Sequence, residues 1–200
     1  GNVLGAQQHG HMEAVGYDMY LRLLGEAIAE QKGEAPERTS AECMVDLNIG
    51  AHIPESYIRG LSQRIDVYKK IAAIQNKDDA FDVTDELIDR FGDPPKAVQG
   101  LIDVALVRGR AAALGIREIA QRDQGMFLYP ERVDMALASG LASTLKGRVM
   151  VGASGQKPYY LVRPKAGQDP IAAIEEAEFA ASLGVDLIVT DHHLPHEVLP

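Results

Sequence analysis

Residues 98–129 read VQGLIDVALVRGRAAALGIREIAQRDQGMFLY, and the period of their apolar positions changes partway along. Val98, Leu101, Ile102, Ala105, Leu106, Ala112 and Ala113 recur at the spacing of one helix face. Gly115 follows Leu114 as a stop, because a residue without a Cβ readily takes the left-handed backbone that ends a helix. Beyond it, residues 116–120 and 125–129 predict two short strands paired across the polar turn Arg122-Asp123-Gln124. A helix handing over to a hairpin predicts an α+β domain.

Upstream, Leu61, Ile65, Tyr68 and Ile71 form one helical stripe. Ala80, Val83, Thr84, Leu87, Ile88 and Phe91 form a second, cut off by Gly92-Asp93-Pro94-Pro95. Residues 43–49 alternate in part and predict a short strand ended by Gly50 and Pro54. Downstream, residues 133–145 predict a short helix, and 148–151 with 159–162 a second hairpin around Ala153-Ser154-Gly155. Residues 34–40 (EAPERTS) are polar, proline-bearing and aperiodic, as a solvated linker is. Before them, Tyr17, Tyr20, Leu21, Leu24 and Ile28 predict a helix stopped at Lys32-Gly33, behind a glycine-rich loop over residues 1–12. After a polar break at 165–170, residues 171–183 predict a helix with Gly184 as its stop. Residues 186–190 then predict a strand running into Asp191-His192-His193. The expected organisation is a loop-helix segment (1–33), a linker (34–40), an α+β domain of helices and short antiparallel hairpins (41–165), and a helix-strand tail (171–200). A tail without strand partners should pack loosely or lie on the preceding domain as an added layer.

The chain has 200 residues, 46% of them hydrophobic, enough for a real core. Its net charge of −9 removes the uniform electrostatic attraction behind non-specific DNA binding, so any nucleic-acid contact must be local. The densest basic stretch, Arg108, Arg110, Arg117 and Arg122, reads as a solvated helix end. A single cysteine, Cys43, supports neither a disulfide framework nor a cysteine zinc site. No apolar run approaches the ~18 residues that cross a bilayer and no secretory signal opens the chain, so a cytosolic address is expected. The start at Gly1, without methionine, suggests a fragment. His9 and His11 are spaced i, i+2 and do not share a helical face, which argues against a metal pair. No serine has a histidine-carboxylate arrangement near it in sequence, and no GxxxxGK[ST] phosphate loop occurs.

Three stretches together resemble one family, the bacterial transcription-repair coupling factors. Residues 1–17 (GNVLGAQQHGHMEAVGY) are similar to the loop that follows the second motor domain in coupling factors and in RecG-type translocases. Ile53-Pro54-Glu55-Ser56-Tyr57-Ile58, with Gln63-Arg64 and Tyr68-Lys69-Lys70-Ile71-Ala72, resembles the opening of the family's carboxy-terminal domain. Glu86-Leu87-Ile88-Asp89-Arg90-Phe91-Gly92 before Pro94-Pro95 resembles that domain's signature. Order and spacing agree over residues 1–165, far more specific than any one match. The resemblance implies a regulatory binding module. Gly5 and Gln8 would belong to the translocation motif, and Glu86, Asp89 and Arg90 would form a clamp contact with the family's UvrB-like amino-terminal module. That contact would hide the surface that recruits UvrA until the enzyme meets stalled RNA polymerase. DNA, ATP and Mg²⁺ would be handled by the motor, so no cofactor and no catalysis are expected on this chain. Glu86, Asp89 and Arg90 share a helix face by spacing, with Leu87, Ile88 and Phe91 turned inward.

Residues 171–200 instead resemble the DHH phosphoesterases, most closely RecJ-type single-strand exonucleases, through Val185-Asp186-Leu187-Ile188-Val189-Thr190-Asp191-His192-His193-Leu194-Pro195. That resemblance implies Asp191 and His192 as ligands of Mn²⁺ or Mg²⁺. A two-metal phosphodiesterase needs further carboxylates from earlier strands, and the sequence offers none. A phosphoesterase fragment with an accessory region, and a truncated product with no function of its own, stand as the alternatives.

Overall fold

A computed structural model describes residues 43–191, with side chains through Val185. The elements are β1 (Met44–Asp46), α1 (Leu61–Ala72), α2 (Lys77–Phe91), α3 (Lys96–Ala113), β2 (Ile116–Arg122), β3 (Gly125–Pro130), α4 (Met135–Thr144), β4 (Val149–Ser154), β5 (Lys157–Val162) and α5 (Pro170–Asp191). The strands form one sheet in the order β1-β2-β3-β5-β4. β1 runs parallel to β2, with Val45 opposite Ile119, and every other pairing is antiparallel. A parallel pair needs a long crossover, and the three helices α1, α2 and α3 supply it.

The α+β expectation holds, and the helix-to-hairpin stretch is its centre. Val98, Leu101, Ile102, Val104, Ala105 and Val107 of α3 are all buried, because α1, α2, α5, β1 and β2 surround this helix. Val104 and Val107 fall outside the single stripe read from the sequence, since a central helix is covered on several sides. Register places Val45, Ile119, Met126, Leu128, Tyr160 and Val162 on the sheet face that joins this core. Full burial of each large side chain contributes ~1.5–3 kcal/mol before chain entropy is subtracted. Phe127, Tyr129 and Tyr159 line the opposite face, and Lys157 Nζ sits 3.9 Å from the Tyr129 ring centroid.

The carboxy-terminal stretch departs from expectation. Residues 186–191 are helical, not a strand, and α5 runs unbroken through Gly184. A strand there would have no neighbour to bond among the described residues, whereas a helix satisfies its own backbone groups. Gly184 does not stop this helix; it is a crossing point. A Cβ on Gly184 would collide with the carbonyl oxygen of Ala136 on α4, and one on Gly140 would lie 2.7 Å from the Gly184 nitrogen. The two backbones touch there, flanked by buried Ala177, Ala180 and Ala181. The segment thus lies on the domain as an added layer.

Asp169 starts this helix, its carboxylate accepting from the backbone N–H of Ile171 (2.9 Å) and Ala172 (3.2 Å), with Pro170 at the first position. Glu176 ties the helix to the sheet. It accepts from Arg148 at 2.5 Å and Gln168 at 2.9 Å, which holds its carboxyl down at about 2. A lowered folded-state value contributes stability that is complete above the ordinary carboxylate range and is lost as pH falls from about 4.5 toward about 2. Glu176→Gln should therefore lose stability near pH 6 and little near pH 2.5, read as converging melting curves. Equal loss at both pH values would rule this out. Among the described residues no helix is long and apolar enough to cross a membrane.

Candidate protein-docking face

Helix α2 begins at Asn76, whose side-chain oxygen accepts from the Asp79 backbone N–H at 2.9 Å, while Asp79 in turn accepts from the Gln75 backbone N–H at 2.9 Å. It ends at Gly92, whose φ of +83° is one that side-chain-bearing residues rarely adopt. Ala80 and Leu87 are buried, and Val83 and Phe91 pack half-buried beside them. That apolar seam fixes the roll of the helix and turns the opposite face to solvent.

The sequence motifs meet at the end of this helix. The Tyr57 hydroxyl donates to the carbonyl oxygen of Gly92 at 2.8 Å, and its ring meets Phe91 edge-on at 6.0 Å. Burial, with the Asp93 carboxylate nearby, pushes the Tyr57 hydroxyl above its ordinary value, so it stays a donor. Arg64 donates to the carbonyls of Ile58 (2.8 Å) and Arg59 (3.0 Å), and Tyr68 accepts from the Ile53 N–H at 2.9 Å. The stretch from Ile53 to Tyr68 is thus a brace that holds the Phe91-Gly92 corner.

On the exposed side, Glu86, Asp89 and Arg90 occupy neighbouring positions of the helix surface, as their spacing predicts. Arg90 Nη1 donates to Glu86 Oε1 at 2.6 Å, and its guanidinium carbon stands 4.9 Å from the Phe91 ring centroid. Lys70 Nζ on α1 donates to both Glu86 oxygens, at 2.6 and 2.5 Å. These two donors hold the Glu86 carboxyl below its ordinary range. The pairs are solvent-accessible, so each adds little to stability. Asp89 is exposed and has no ion-pair partner among the described residues.

Two features of this face escape the sequence. Ile88, expected in the core, is 43% exposed, and Phe81 is 70% exposed beside it on the same side. Their spacing fits the helical period, but the seam closes one position away. Lys70 carried no signal for its role, because its partner is 16 residues distant.

The other expected sites fare differently. Gly5, Gln8 and His192 lie outside the described residues, as does the linker at 34–40. Asp191 ends α5, and the strand that would have presented it to Mn²⁺ or Mg²⁺ is helix. Among the described residues no group of three or more His, Cys, Asp or Glu could hold a metal ion, and the Asp191 side chain, like His192, lies outside them. Of the basic stretch, Arg110 pairs with Glu175 and Glu178 at 2.7 and 3.1 Å, and Arg122 with Asp46 at 2.8 Å. Neither is left facing solvent as an unpaired cation, which weakens any case for a phosphate contact.

The family model described as TRCF domain matches residues 47–137. A transcription-repair-coupling factor of Staphylococcus aureus (strain USA300) is 37% identical over 155 residues, 77% of this chain and 13% of the relative. One from Bacillus subtilis (strain 168) is 44% identical over 105 residues, covering 52% of this chain and 9% of the relative. The chain thus spans only a small part of these relatives' length. Among solved structures, the crystal structure of a C-terminal domain of transcription-repair coupling factor superposes with a TM-score of 0.61. It is 20% identical, and the match covers 74% of this chain and 94% of that one. At that identity the likeness establishes the fold, and the sequence relatives carry the rest. Residues 47–137 match the TRCF domain, and over that region the chain is similar to transcription-repair coupling factors.

Proposed function

We propose that this domain is an autoinhibitory docking module: it binds the UvrB-like amino-terminal module of a coupling factor through Glu86, Asp89 and Arg90, and contributes no chemistry of its own. The observation that supports this is the mixed-charge surface of α2, turned outward by the Ala80, Leu87 and Phe91 seam and braced by Tyr57 on Gly92. A carboxylate and a guanidinium held side by side offer both signs of charge, which selects partners by complementarity rather than by bulk attraction. In the full-length protein such docking keeps the UvrA-recruiting surface closed until stalled RNA polymerase is engaged, while an ATP- and Mg²⁺-dependent motor elsewhere translocates on DNA.

The test is calorimetric binding of the full chain to an isolated UvrB-like module. Asp89→Lys should weaken binding by roughly 10–100-fold, the ~1–3 kcal/mol expected when a desolvated charge contact is reversed. Glu86→Lys should act in the same direction. Binding unaffected by either reversal, or absent in the parent chain, would remove the reading.

A further inference from the structure

We infer that Lys70 is a built-in competitor for the docking carboxylate Glu86, so that partner binding requires an exchange of cations rather than simple contact. The inference rests on the docking reading above and adds its regulation. The geometry is a matter of acceptor capacity. A carboxylate offers about four lone-pair positions, and Glu86 has three hydrogen bonds already, two from Lys70 and one from Arg90. A cation arriving from a partner can form a paired contact with both oxygens only if Lys70 Nζ or Arg90 Nη1 leaves Oε1, since those two donors already fill it.

The two holders differ in how they can leave. Arg90 lies one turn along on α2 and moves with Glu86 as a unit, its guanidinium also placed over Phe91. Lys70 comes from α1, is 46% exposed, and its long flexible stem lets the ammonium swing into water without disturbing the fold. Asp89 is open beside them, so the face divides into one carboxylate ready at once and one that must be uncovered.

The experiment compares the full chain with Lys70→Met, Glu86→Gln and the double variant, in binding to an isolated UvrB-like module of a coupling factor at fixed salt. Methionine keeps the length and packing of the stem and removes the charge. Lys70→Met should tighten binding roughly two- to fivefold, the worth of an exposed ion pair that no longer has to be broken. The gain should vanish when Glu86 is Gln, because there is then no carboxylate to release. Binding that Lys70→Met leaves unchanged or weakens, while Asp89→Lys still weakens it roughly 10-fold or more, overturns the competitor and keeps the docking face. A gain that persists in the double variant also overturns it. Absence of binding by every variant, the parent included, removes the docking reading and this inference with it.

Discussion

Gly184→Ala should lower the melting temperature by roughly 4–12 °C, although Gly to Ala inside a helix ordinarily adds stability by ~0.5–1 kcal/mol. The sign reverses because of what faces the position. A Cβ there would run into the carbonyl oxygen of Ala136 and reach 2.8 Å from the Gly140 nitrogen, both backbone atoms that cannot rotate aside. The helices must separate, and the Ala177, Ala180 and Ala181 surface buried between them loosens. Overpacking of this kind costs ~1–3 kcal/mol and sometimes more. Gly100→Ala on α3 is the matched control. Its Cβ would stand 3.6 Å from the Ala51 methyl, an ordinary contact, so that variant should melt at or slightly above the parent. A Gly184→Ala protein as stable as Gly100→Ala would disprove the backbone contact between α4 and α5.

Glu178→Gln should stabilise the domain at pH 8 by a few kcal/mol and leave it nearly unchanged at pH 5. Glu178 is 7% exposed, on the α5 face that meets the apolar side chains of Leu114, Leu137 and Leu141. Burial drives its carboxyl up to about 8, an effect the Arg110 guanidinium, 3.1 Å away, only partly offsets. Neither Arg110 Nε nor the Glu178 oxygens complete a well-formed hydrogen bond, and Arg110 is shared with Glu175 at 2.7 Å. In the folded state the group therefore holds its proton to higher pH than in the unfolded chain. Its contribution is intact below about 4.5 and is lost as pH rises through about 8. Each unit of difference is worth ~1.4 kcal/mol, so the effect is on the order of several kcal/mol before relaxation. Glutamine keeps the shape and cannot ionise, so denaturant midpoints measured from pH 5 to pH 9 should fall for the parent and stay level for the variant. Parallel curves would mean the carboxylate ionises in place without cost. Because Glu176 pulls the other way in acid, these two groups together make the parent most stable near pH 4.5.

Much of the architecture can be read along the chain. The 3.6-residue stripe of α2, closed by Gly92, and the change of period after Gly115 locate the elements and mark the domain as α+β. The outward placement of Glu86, Asp89 and Arg90 follows from the same period. These features depend on backbone conformation and side-chain direction over three or four neighbours, which a short stretch of residues specifies.

Other features required the chain to be folded. Ile88 fits the apolar stripe as well as Leu87 does, yet it faces water, since burial depends on where α1 and α3 lie and not on α2. Glu86 meets Lys70 only because α1 returns beside α2. Residues 186–190 have β-branched residues and a strand-like outline, and Gly184 looks like a helix end. α4 supplies a backbone close enough to need that glycine, and among the described residues no strand offers a ladder to residues 186–190. Local periodicity thus locates the helices and hairpins of the domain as far as β5 and sets where their charges point. Contacts between distant segments settle which surfaces are covered, because a short-range pattern carries no information about what will be packed against it.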